Sequence, residues 1–278
     1  MAKGDELMPA SPVPAFPRDP DDAGVRLFAF TCGHITLPLS FFLRGEDGQI
    51  TIPVTAYLID HPAALCLFDT GLGAKYRRPT GTPGTGRVDF SEHETIAARL
   101  AEIGVAAQDI RWIINSHLHL DHAGGNAHLP NATIIIQDSE WDFARAGIDP
   151  SYVAGEVDTG QPVQRITGEF DLFGDNTVVL MPTPGHTPGH QSARVRTLRG
   201  DVLLAGDCCN LKRSLDELRL PDHCHDADSY LDSLKMLRRE REKGTAILFS
   251  HDPDFWATIP QARPLGVGVA GKMADPVP

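Results

Sequence analysis

Ser116-His117-Leu118-His119-Leu120-Asp121-His122-Ala123-Gly124-Gly125 is the stretch that decides how this chain is read. It places three histidines and one aspartate within six positions, after the apolar run Ile110-Arg111-Trp112-Ile113-Ile114. Four side chains able to bind a metal therefore leave the end of an expected strand together. Where the backbone is still extended, side chains alternate, so His117 and His119 face one way and Leu118 and Leu120 the other. That offers one histidine pair to a first cation. Gly124-Gly125 permit a tight turn in which Asp121 and His122 face a second cation from the other side. Nitrogen and carboxylate donors without thiolate suit zinc, iron or manganese, and positions left for water mark a catalytic rather than a structural site. The bland alternative is a histidine-rich surface loop. Further histidines and an aspartate at other expected strand ends argue against it.

With 278 residues the chain is long enough to bury a substantial core, and its composition is that of an ordinary globular protein. A net charge of −12 argues against nucleic acid or an anionic membrane as the main partner, since those require clustered Lys and Arg. Five cysteines without CxxC spacing indicate neither a disulfide framework nor a thiolate zinc knuckle, which fits a reducing cytoplasm. Residues 1–22 lack the apolar core of a secretory signal, and no later segment reads as a membrane span. The expected organisation is an N-terminal arm over residues 1–24, one folded domain over 25–264 and a flexible tail over 265–278.

Along the chain, residues 25–31 read as the first strand, and the apolar, proline-broken stretch 34–43 as neither helix nor strand. That stretch suits core packing or the wall of a pocket for an apolar substrate. Residues 50–60 and 64–68 read as two strands ending in Asp69-Thr70-Gly71. An aspartic protease would need a second copy of that triplet. Asp69 is better placed to hold a ligand imidazole in its correct tautomer. Residues 74–90 read as loop, and Ser91-Glu92-His93-Glu94 has the spacing of a capping box ahead of a helix with Ile96, Leu100 and Ile103 on one face. Residues 132–137 read as a strand, with a helix beginning at Asp138. Residues 177–181 form a strand entering Pro182-Thr183-Pro184-Gly185-His186-Thr187-Pro188-Gly189-His190. His186, nearer the strand end, is the ligand candidate, and His190 takes a structural role. The run 202–206 ends at Asp207, whose two oxygens can bridge two cations; Cys208 and Cys209 read as small buried apolar residues. Residues 211–225 read as an irregular segment overhanging the site. Asp226 caps a helix with Tyr230, Leu231, Leu234 and Leu237 on its apolar face and Gly244 as its stop. A last strand, 246–250, delivers His251.

The ordered set His117-x-His119-x-Asp121-His122, His186, Asp207 and His251 resembles the metallo-β-lactamase superfamily over roughly residues 25–258. Within it, Ser116 to Gly125 and Gly185 to Ser192 look most like the N-acyl homoserine lactonase branch. The resemblance implies an α+β fold, a four-layered αβ/βα sandwich with a metal pair at one edge. It implies that His117, His119 and His186 hold one divalent ion, that Asp121, His122 and His251 hold another, that Asp207 bridges them, and that Asp69 stands behind the ligands. The ions would be zinc, with iron, manganese or cobalt as alternatives. A hydroxide bridging them would attack a lactone carbonyl, and Asp121 would return a proton to the leaving alkoxide. The branch has a tyrosine three residues after its bridging aspartate; here that position is Asn210. The competing expectations are an arylesterase, organophosphate hydrolase or thioester hydrolase on the same site, a mononuclear iron persulfide dioxygenase, and a silent binding module. The dioxygenase would not need the full second site, and a silent module would be expected to have lost a ligand. The implied partner is a small-molecule substrate, and a homodimer is compatible with the sequence.

Overall fold

The computed structural model describes residues 24–76, 81–82 and 86–265. In chain order the strands are β1 (Arg26–Pro38), β2 (Gln49–His61), β3 (Ala64–Phe68), β4 (Gly81–Thr82), β5 (Gly86–Asp89), β6 (Ile110–Ile114), β7 (Thr133–Gln137), β8 (Val163–Ile166), β9 (Phe170–Asp171), β10 (Val178–Pro182), β11 (Gln191–Thr197), β12 (Gly200–Leu204) and β13 (Ala246–Leu248). The helices are α1 (Ile96–Glu102), α2 (Leu120–Ala123), α3 (Asp138–Ala146), α4 (Ala154–Val157), α5 (Lys212–Glu217), α6 (Ala227–Glu242) and α7 (Pro253–Trp256). One sheet has eight strands in the order β4-β5-β1-β2-β3-β6-β7-β8, and the other five in the order β13-β12-β11-β10-β9.

Period-2 alternation sorts the side chains of each strand between two layers. In β1, Leu27 and Ala29 join Ile59, Phe68 and Ile114 in a core shared with Val178, Leu180, Val195 and Val202 of the second sheet. Phe28 and Phe30 point the other way, into a cluster with Ile96 and Leu100 of α1. On the far side of the small sheet, Leu203 and Ile247 pack under Tyr230, Leu234 and Leu237 of α6. The layers therefore run helix, sheet, sheet, helix, as expected of the sandwich. Asp226 caps α6, its side chain accepting from Ser229 N–H at 2.7 Å, and Gly244 follows the helix end at φ 101°.

Several expectations need correction. The stretch 34–38 is not irregular: it continues β1 past a register shift between Thr31 and His34, because it pairs with β2 on one side and, over residues 34–36, with β5 on the other. The region 74–90, read as loop, contains β4 and β5, too short and Gly-rich to give a strand pattern. The segment 211–225 begins with α5, whose two exposed i,i+4 ion pairs, Lys212–Asp216 and Arg213–Glu217, line its outer face. Leu265, where the expected tail begins, is buried, and its N–H donates to Leu27 O at 2.8 Å. The rest of the tail, and residues 1–23 of the arm, lie outside the described residues. Among the described residues no helix is long and apolar enough to cross a membrane.

Candidate metal centre

Five strands, β3, β6, β10, β12 and β13, end at one edge of the sandwich, and the segments that follow them carry Asp69, His117 to His122, His186, Asp207 and His251. β6 stops at Ile114, earlier than the alternation argument needs, and α2 begins at Leu120 with His119 as its N-cap residue. The two glycines after it serve close approach rather than a turn. A Cβ on Gly125 would lie 2.3 Å from Thr70 O, and one on Gly124 would lie 2.3 Å from Gly73 N.

Three groups of donor atoms converge here: His117, His119 and His186; His117, His122 and Asp207; Asp121, His122 and His251, each with its ligand atoms within 4.8 Å of one another. Every residue expected as a ligand lies in one of them. His190 lies in none; its Nδ1 pairs with Thr183 Oγ1 at 2.8 Å. Cys208 and Cys209 belong to the apolar cluster beneath α6. Asp207 offers one oxygen to each side: Oδ2 is 3.4 Å from His186 Nε2, while Oδ1 is 3.1 Å from His251 Nε2 and 3.2 Å from His122 Nε2.

The imidazoles are oriented from behind. Asp69 Oδ2 lies 2.8 Å from His122 Nδ1, and Pro53 O lies 2.8 Å from His251 Nδ1. Ser116 donates its hydroxyl to Asp69 Oδ2 at 2.8 Å, so its oxygen accepts from His117 Nδ1 at 3.0 Å. When these rings are neutral, each Nδ1 thus carries the proton and each Nε2 lone pair faces the cluster. The Nε2 atoms of His117 and His122, which face the cluster, are buried without a hydrogen-bond partner. His119 also sets Nδ1 3.1 Å from His186 Nε2. A buried orphan acceptor is costly unless something fills its lone pair. This donor set of imidazole nitrogens and carboxylate oxygens fits divalent cations.

Charge within the cluster is divided. Burial pushes His117 well below the usual histidine range and His119 down to about 3, and crowding by the other imidazoles adds to both. Burial also lowers His186, against the pull of Asp207. Burial opposes charge on His122 and His251 too, but Asp207 and Asp121 beside them outweigh it and raise both. Asp207 is held well below the carboxylate range by His251 and His122, despite its own burial.

The cluster lies at the floor of a cleft of about 310 Å³. Ile35, Leu37, Phe41, Phe42 and Ile52 make one wall, so the proline-broken stretch 34–43 serves both readings given to it, core packing and pocket lining. His223, Cys224 and His225 from the overhanging segment line the cleft as well. Asn210 also reaches it, but with its amide nitrogen turned to satisfy the network it donates to Asp207 Oδ1 and Oδ2 at 3.1 and 3.3 Å. Ser250 donates to Asp207 Oδ1 at 3.1 Å. Sequence reasoning missed Ser116, Pro53, Ser250 and the buried Glu140. The first three act through hydroxyl or backbone oxygens that carry no residue-type signal, and Glu140 reads as an ordinary first-turn acid of a surface helix.

The model of the Metallo-beta-lactamase superfamily matches residues 51–251. An N-acyl homoserine lactonase of Azorhizobium caulinodans is 31% identical over 238 residues, spanning 79% of this chain and 89% of that protein. One of Bacillus cereus is 32% identical over 211 residues, spanning 73% and 82%. Among solved structures, an N-acyl homoserine lactone hydrolase with N-hexanoyl-L-homoserine bound at its catalytic metal centre superposes with a TM-score of 0.77 at 28% identity, covering 85% of this chain and 96% of that one.

Proposed function

Because the chain belongs to the metallo-β-lactamase superfamily, we propose that it is a dinuclear metal-dependent hydrolase that opens a lactone ring, with N-acyl homoserine lactones as the substrate class. The observation that carries the reading is Asp207, whose two oxygens face separate histidine groups at the floor of an apolar-walled cleft. The activity of the relatives named above supports the substrate class.

His117, His119 and His186 would hold one cation and Asp121, His122 and His251 the other, with Asp207 shared between them. Zinc suits these donors, and iron, manganese and cobalt are the alternatives. When bound, such a pair supplies Lewis-acid charge and brings the pKa of a water from about 16 toward about 7. The chain's own residues do the rest. The wall from Ile35 to Ile52 takes the acyl chain and keeps bulk water from it. As the carbonyl carbon gains the water oxygen, its bond to the ring oxygen breaks, and that oxygen leaves as an alkoxide in need of a proton. Asp121 lines the cleft, with Oδ2 3.7 Å from both His122 Nε2 and His251 Nε2, and is placed to take the proton that the attacking water gives up and pass it to the alkoxide. Asn210 orients the shared carboxylate rather than the lactone carbonyl, since its amide is already bonded to Asp207.

A pH-indicator assay of the metal-loaded protein against lactones, aryl esters, thioesters and phosphotriesters tests the substrate. Turnover of lactones above the other three is expected, and aryl-ester or phosphotriester turnover without lactone turnover overturns it. Asp207→Ala should drop bound metal from two ions toward one and cut turnover by at least about a hundredfold. Full activity in that variant rejects the shared-ligand assignment, and a single iron with oxygen consumption rejects the hydrolase.

A further inference from the structure

Glu140 stands in the first turn of α3, fully buried, and takes no part in the reaction proposed above. Its carboxylate nevertheless accepts four hydrogen bonds. Oε1 takes Leu118 N–H at 3.0 Å and the Tyr152 hydroxyl at 2.8 Å; Oε2 takes the Thr187 hydroxyl at 2.6 Å and Gly189 N–H at 3.2 Å. Leu118 lies between His117 and His119, and Thr187 follows His186. One carboxylate thus spans two segments whose histidines are 67 residues apart in sequence, with one oxygen bonded to each. Tyr152 adds a third contact to the same group: its ring meets His119 edge-on at 4.7 Å between centroids while its hydroxyl is held by Glu140. Gly189 permits the approach, since a Cβ there would fall 2.1 Å from Glu140 N.

No cation pairs with this carboxylate among the described residues, and burial lifts it above the usual range against the pull of all four donors. A buried acid so placed adds little stability that an apolar side chain could not, and its distinctive property is geometric. The other half of the centre has different supports, Asp69 behind His122 and Pro53 O behind His251.

We infer that Glu140 is a positioning residue that sets the separation of His117 and His119 from His186, and through it the affinity of that three-histidine group alone for a divalent cation. This rests on the metal-centre reading proposed above.

The test is titration of metal-free protein with zinc in competition with a chromophoric chelator. Wild type should bind in two steps, and the step removed by His119→Ala belongs to the three-histidine group. Glu140→Ala should weaken that step by about ten- to a hundredfold, the usual effect of losing a partner behind a ligand, and leave the other within about twofold. Glu140→Gln should fall between, because its amide oxygen still serves Leu118 and Tyr152 while its NH2 opposes Gly189 N–H. Tyr152→Phe keeps the ring against His119 and should weaken the same step by a few-fold. Equal weakening of both steps, or no weakening, overturns the inference. Should Glu140→Ala fail to fold, unchanged first-group affinity in both Glu140→Gln and Tyr152→Phe overturns it equally. Failure of the wild-type chain to bind two ions overturns the metal-centre reading itself, and is told apart because it needs no variant.

Discussion

Asp69→Asn separates charge and tautomer from shape at the base of the centre. Asp69 sits at φ 59°, a left-handed conformation that Asp and Asn both tolerate, so the replacement keeps the backbone. Its Oδ1 accepts Ser116 N–H at 2.7 Å, and its Oδ2 accepts the Ser116 hydroxyl and His122 Nδ1–H, both at 2.8 Å. In the asparagine variant the carbonyl can keep the Ser116 amide, but an NH2 then takes the place of Oδ2. His122 Nδ1 must become an acceptor and its proton must move to Nε2, the atom aimed at Asp207 Oδ1 from 3.2 Å. Ser116 must turn its hydroxyl toward His117 Nδ1, 3.0 Å away, which pushes that ring toward the same wrong tautomer. Losing such a partner costs about 10- to 100-fold in metal affinity, or about 1.4 to 2.7 kcal/mol. The metal-free fold should change less, since the lost charged hydrogen bonds are offset by no longer burying a carboxylate; at about 2–4 °C per kcal/mol for a chain near this size, a Tm within about 4 °C of wild type is expected. Zinc stoichiometry under chelator competition and a thermal melt of the metal-free protein measure both. Two ions held with wild-type affinity by Asp69→Asn would refute the tautomer argument.

Stability of the metal-free protein should peak near pH 6.5. Below that ordinary histidine value, the unfolded chain binds protons that the depressed His117, His119 and His186 do not bind when folded, so stability rises with pH from about 3. Above it, the raised His122 and His251 hold protons that the unfolded chain has lost, so their contribution disappears as pH climbs through their folded values. Metal binding needs neutral imidazoles, so zinc should release protons and remove the alkaline decline; a metal-free Tm rising steadily from pH 5 to 9 would contradict this. Gly189→Ala should cost about 1–3 kcal/mol by denaturant titration, because its Cβ would strike the Glu140 backbone. Gly155→Ala, within α4 and facing open space, should instead stabilise by up to about 1 kcal/mol. Equal effects at the two glycines would show that the contact between α3 and the turn at 185–190 is not tight.

By itself the sequence specified the strands with continuous apolar runs, Ala64 to Phe68 and Val202 to Leu204 among them, because burial on both faces leaves no polar alternation to confuse the period. It also pointed to the residues gathered at the centre, since His and Asp clusters at strand ends are rare outside sites and their order along the chain carries a family resemblance. What only the tertiary structure decided is how those side chains are held. The pairing of residues 34–38 with β2 and of 34–36 with β5, the Pro53 carbonyl behind His251, and the hydrogen bonds of Leu118, Thr187 and Gly189 onto Glu140 all join segments distant in sequence. Such contacts depend on which strand ends the two sheets bring to a common edge, and no local propensity or spacing encodes a partner that arrives through packing.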